Sequence, residues 1–191
     1  MCLALPTMQA KKVVDPFDLT LEQNLEQPEV KNDKQSDRIA AYQHKVAVQL
    51  IEKRYNVEVM RDEEIVVVTI PAGALFAAND TTLTPVGDQL LKPFLKYLKP
   101  EGYYKILLVM HSDNTGSEAY TIQLTRSRVN AIFDWFEAHG STDFVVPYAL
   151  GDSDPVVDNN SFENRKKNRR LEIYLVPEQV MIEQAKKGNL K

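Results

Sequence analysis

The run YYKILLVM at residues 103–110 limits the fold more than any other stretch. It is far shorter than the ~20 residues needed to span a bilayer, so it reads as a buried strand. HSDNTGSEAY, residues 111–120, then ends the strand and starts a helix that runs from about Ser117 to His139, where Gly140 stops it. Asp113 therefore leaves the end of a core strand. On a helical wheel, Tyr120, Leu124, Ala131, Ile132, Trp135 and Phe136 share one broad face, with Arg128 near its middle. A charge there costs on the order of several kcal/mol unless it is paired and hydrogen-bonded. Arg128 must snorkel out, meet an acid or face a wet pocket. Asp113 is the candidate partner or pocket-mate, because crevices form at the carboxyl ends of strands in α/β sheets, and Gly116 permits the sharp turn between them. Spacing alone leaves two readings open. One is a structural salt bridge. The other is a pocket that grips a zwitterion, the acid taking an ammonium and the guanidinium forking onto a carboxylate.

The flanking sequence supplies the rest of a mixed sheet. YNVEVMRDEEIVVVTI reads as a hairpin with RDEE as its turn. Thr84 followed by Pro85 starts a helix, and Pro93 should kink or split it. DFVVPYAL is a strand, placed at an edge by Pro147. GDSDPVVDNN is a loop, FENRKKN a short helix, RRLEIYLV the last strand, and residues 178–191 a helical or frayed tail. The order predicts an α/β sandwich: a mixed β-sheet with helices packed on one face and a right-handed βαβ crossover.

Residues 37–55 form an N-terminal helix, with Ser36 as its cap and Ile39, Tyr42, Val46 and Leu50 at helical spacing. Residues 11–36 are polar, with one aromatic and no glycine, and are expected to be a flexible linker. Residues 1–10, MCLALPTMQA, resemble the tail of a secretory signal, without the basic start and full apolar stretch. Either Met1 lies downstream of the true start or this is an ordinary N-terminus.

The net charge of -4 argues against a general nucleic-acid binder. One cysteine, Cys2, excludes an internal disulfide and a cysteine-based zinc site, and His44, His111 and His139 have no metal-ligand spacing. With no Gly-x-Gly cluster among seven glycines, there is no phosphate-binding loop. Neither a nucleophile nor a carboxylate pair has supporting spacing, so no catalytic residue, metal or cofactor is assigned. His111 is read as a packed, hydrogen-bonded histidine, DSDPVVDNN as a turn-rich loop lacking the EF-hand pattern, and NRKKNRR as a solvated helix face.

HSDNTGSEAYTIQLTRSRVNAI resembles the central motif of the OmpA-like C-terminal domains, the peptidoglycan-associated module. That motif typically reads Gly-His-Thr-Asp, a glycine three residues on, then Asn-x-x-Leu-Ser-x-x-Arg-Ala-x-x-Val. His111, Asp113, Gly116, Leu124 and Arg128 match in spacing, and Thr125 and Ile132 are conservative replacements. LFAANDTTLTPVGDQLL is similar to the family's opening loop and helix, ALGDSDPVVDN to its Gly-x-Gly-Glu-x-x-Pro-Val-Ala-Asn loop, and ENRKKNRRLEI to its closing Asn-Arg-Arg strand. The resemblance runs from about 56 to 177. Met110, Thr121 and Val129 stand where the family usually has glycine, asparagine and alanine. A threonine cannot make all of an amide's hydrogen bonds.

The resemblance implies a βαβαβ-type core in the bacterial envelope, in the periplasm and associated with the outer membrane. It implies non-covalent binding of diaminopimelate-type peptidoglycan stems, with Asp113 taking the amine and Arg128 the carboxylate. Asn79, Thr121, Arg169 and Arg170 map to pocket-lining, bracing or closing positions, without indicating which arginine reaches the pocket. The implied role is to anchor the outer membrane or an envelope complex to the wall. The alternative is an assembly module of the same fold that has lost the ligand, with Asp113 and Arg128 paired and the N-terminal helix on a protein partner. Expected partners are peptidoglycan, an outer-membrane or envelope protein, and a second copy in a homodimer.

Overall fold

The computed structural model describes residues 15–98 and 102–190. Its sheet consists of β1 (Asn56–Met60), β2 (Ile65–Pro71), β3 (Tyr104–His111), β4 (Val145–Gly151) and β5 (Arg170–Pro177), in the order β1-β2-β5-β3-β4. Only β3 and β4 run parallel; the other pairs are antiparallel. Among the described residues the helices are α1 (Leu21–Glu26), α2 (Asp33–Glu52), α3 (Ala72–Leu75), α4 (Pro85–Leu91), α5 (Glu118–Glu137), α6 (Phe162–Asn168) and α7 (Gln179–Lys187). The crossover is β3-α5-β4, and β4 is the edge strand that Pro147 predicts.

Strand alternation divides the core. Val66, Val68, Ile70, Ile106, Leu108, Met110, Leu171, Ile173 and Leu175 face one side. They pack against Ile39, Val46 and Leu50 of α2, Val129, Ile132 and Phe136 of α5, and Met181, Ile182 and Ala185 of α7. Each such side chain contributes about 1.5–3 kcal/mol by leaving water. The other side carries a second apolar cluster, Ile65, Val67, Leu107, Val109, Val146 and Val176. All eight positions of β3 are consequently buried. Pro93 acts as expected: α4 stops at Leu91 and the chain continues as a 3-10 helix, Lys92–Tyr97.

The second cluster explains one departure from the sequence expectations. Residues 15–31, within the stretch read as a linker, cross this face as an ordered strap. Leu21 and Leu25 pack on it, and Thr20 and Gln23 form a capping box on α1. Asn24, fully buried, donates to the Pro16 carbonyl at 2.7 Å and to Tyr148 Oη at 2.5 Å. Arg61 and Lys105 each donate to a strap carbonyl, of Leu25 and Gln27, both at 2.6 Å. Two leucines four residues apart suffice to cover an exposed apolar strip, a detail that average polarity conceals. Helix α2 also begins earlier, at Asp33 after Asn32 rather than after Ser36. Residues 1–10, read as a signal tail, lie outside the described residues.

Candidate functional site

An open cavity of ≈ 650 Å³ lies at the C-terminal end of β3. Its walls come from the segment after α3 (Phe76, Ala77, Asn79), the β3–α5 turn (Ser112, Asp113, Gly116), α5 (Tyr120, Arg128), the start of α6 (Phe162) and the residue before β5 (Arg169). The turn is held by the Ser112 amide donating to the Gly151 carbonyl at 2.6 Å. Gly116 has φ +111, and a Cβ there would lie 2.8 Å from the Tyr120 ring, so glycine is required on both counts. Ser117 caps α5 by accepting from the Tyr120 amide.

Asp113 is 2% exposed. Its carboxylate accepts from the Thr115 amide at 2.8 Å and from Arg169 Nη1. Burial alone would raise its pKa, but the Thr115 hydrogen bonds and the Arg169 guanidinium outweigh that and hold it below the usual carboxylate value. Arg128, 5% exposed, does not meet Asp113. Its Nε donates to the Asp80 carbonyl at 2.9 Å and its Nη2 to the Ala77 carbonyl at 3.1 Å, while its guanidinium lies 5.1 Å from the Phe76 ring centre. Nη1 has no hydrogen-bond partner among the described residues. Burial lowers the Arg128 pKa, and the nearby Arg169 charge adds to this.

The other expected site residues divide. Asn79, at φ 56, lines the cavity and accepts from Tyr120 Oη at 3.2 Å. Of the closing arginines, Arg169 reaches the cavity. Arg170 points to the opposite face, where its Nε donates to Glu172 at 2.7 Å. Thr121 does not line the cavity; its hydroxyl lies 2.8 Å from Asp152 Oδ1 and ties α5 to the loop after β4. His111, 1% exposed, lies 3.2 Å from Glu172 Oε2, in keeping with a packed histidine. Asn168 is the hub of the loop after β4: it accepts from the amides of Val156 and Val157 and donates to the Val157 carbonyl and to Asn159.

Tyr120 and Phe162 were not foreseen as walls. Tyr120 shares the apolar face of α5 on a helical wheel, yet it is 43% exposed. Phe162, 64% exposed, places its ring 5.8 Å from the Arg169 guanidinium. Among the described residues no cluster of histidine, cysteine, aspartate and glutamate is arranged to hold a metal ion.

The cavity thus combines one buried acid with two guanidiniums, one of them paired with the acid and the other carrying a free donor.

A profile of the OmpA family matches residues 75–169. The peptidoglycan-binding protein ArfA of Mycobacterium tuberculosis is 31% identical over 106 residues, which take in 54% of this chain and 32% of that protein. The chain thus spans about a third of the length of this relative. The structure titled as the cell wall anchor of the T6SS from Pseudomonas aeruginosa is 27% identical, with a TM-score of 0.57 over 73% of this chain and 97% of that one. A MotB-like protein from Desulfovibrio vulgaris shares the fold, with a TM-score of 0.64 over 75% of this chain and 96% of that one, at 21% identity.

Proposed function

Residues 75–169 form an OmpA-family domain, and from that premise we propose that the chain anchors a bacterial envelope structure to peptidoglycan without covalent chemistry. The setting is the periplasm, beside the outer membrane. Among the described residues no helix is long and apolar enough to cross a membrane. The ligand is the free end of a diaminopimelate stem residue, an ammonium and a carboxylate on one carbon. Asp113 accepts from the ammonium, and Arg128 donates through its free Nη1 to the carboxylate. Asn79 and Tyr120 shape one wall, and Arg169 closes another. Relatives named for peptidoglycan binding and for anchoring to the cell wall support the reading.

The single observation that carries it is the separation of Arg128 from Asp113. An arginine held by two carbonyls, with a donor to spare, is presented to a ligand rather than spent on an ion pair. The assembly-module alternative rested on these two residues pairing, and that pairing is absent from the structure.

The test is a calorimetric titration of the full chain with a diaminopimelate-containing muropeptide and with its lysine-containing counterpart. Saturable binding of the first, lost in Arg128→Ala and at least tenfold weaker for the second, supports the anchor. No heat at millimolar ligand rejects it.

A further inference from the structure

The sheet has two edges, and they are treated differently. The β4 edge carries Pro147, lies beside a register shift at Met110/His111, and has Tyr148 tied to the strap through Leu19 and Asn24. These are the usual means of keeping an edge from recruiting another strand. The β1 edge has none of them. Its register with β2 is continuous from Asn56 to Met60, it holds no proline, and Val59 and Met60 are 42% and 39% exposed. Beside it, on the sheet face opposite α2 and α5, lies an open cleft of ≈ 550 Å³. Met60, Val67 and Tyr174 contribute to its floor, and Val156, Lys166 and Lys167 to its wall. The cleft is lined by three cations and two acids: Arg170 is bound to Glu172, and Lys166 and Lys167, neither within 4.0 Å of a carboxylate among the described residues, outnumber the remaining acid, Glu58.

We infer that the β1 edge and this cleft form a docking surface for an extended segment of a protein partner in which every second residue faces the cleft, some of these apolar and some acidic. The segment adds a sixth strand beside β1. Main-chain hydrogen bonds hold it, its apolar side chains enter the cleft, and its carboxylates meet Lys166 and Lys167. A lipid surface satisfies the lysines but leaves the strand edge unpaired, so a peptide fits the combination better. The surface shares no residue with the Asp113 cavity, and the inference stands independently of wall binding.

The test is selection of a peptide library on the full chain. The expected result is enrichment of apolar–acidic extended sequences. Their affinity should fall at least tenfold in Lys166→Glu/Lys167→Glu, should survive Arg128→Ala, and should disappear in one of two alternately N-methylated versions of the peptide. Binding should also slow amide exchange in β1. Four results overturn it: no enriched sequence; binders indifferent to N-methylation; lysine-dependent capture by phosphatidylglycerol vesicles with no protection of β1; or self-association of the chain through β1 that excludes the peptides.

Discussion

Arg169 donates to the buried carboxylate of Asp113, so the acid that should receive a ligand's ammonium already has a partner. An incoming amine must share Asp113 with Arg169 or displace it, and a displaced Arg169 is free to turn to a ligand carboxylate. Arg169→Ala is expected to weaken muropeptide binding about tenfold, near 1.4 kcal/mol, and to raise the Asp113 pKa toward its ordinary value. Arg169→Lys should restore part of both. Calorimetry and a carboxyl NMR titration read the two effects separately.

Arg128 holds the segment around residues 77–80 through two carbonyls. Arg128→Met keeps the packing but leaves both acceptors unpaired. It should cost about 1–3 kcal/mol, measured by urea unfolding, and remove muropeptide binding. Arg128→Lys should fold nearly as well yet bind poorly, because a single ammonium cannot serve the carbonyls and the ligand together.

Glu172 gives the fold an acid dependence. Burial would raise its pKa, but hydrogen bonds from His111, Tyr174 and Arg170 prevail and bring it down to about 2. A carboxylate with a depressed folded pKa contributes stability above its ordinary value of 4.5 and loses it as pH falls toward 2. The contribution is on the order of 3 kcal/mol. In Glu172→Gln, the loss of stability between pH 4.5 and 2 should flatten relative to wild type, as followed by circular dichroism.

Lys105 acts at the alkaline end. It is 2% exposed beneath the strap, and burial lowers its pKa from 10.5 to about 8. The folded state therefore binds fewer protons than the unfolded state above pH 8, so this group favours folding increasingly as pH rises. Thermal stability should increase from pH 8 to about 9.5, below the range where tyrosines titrate. Lys105→Met should abolish the increase.

Much of this architecture is legible in the residues. YYKILLVM is β3, Thr84-Pro85 caps α4, and Asp113 and Arg128 line one cavity as their positions suggest. What escaped has definite causes. Adjacent residues in an extended segment point to opposite faces, so Arg169 and Arg170 cannot share a pocket, but sequence alone does not say which face is which. Tyr120 has the hydropathy of a core residue, and only the Asn79 contact shows it as a cavity wall. Leu21 and Leu25 are too sparse to signal burial, because their partner surface is made by strands far along the chain.

The strap has a mechanical consequence. Tension entering at Asp15 meets its attachments one after another: first Leu19 and Asn24 at Tyr148, then Leu25 at Arg61, then Gln27 at Lys105. Loaded in sequence, they peel open rather than shear together, and none of the sheet's own ladders is broken. Residues 15–31, at roughly 3.4 Å each, reach about 55 Å when fully extended, and the slack before the load reaches α2 is that length less the span the strap already covers. A strap built this way lengthens under a sudden stretch while the sheet and the Asp113 cavity stay folded.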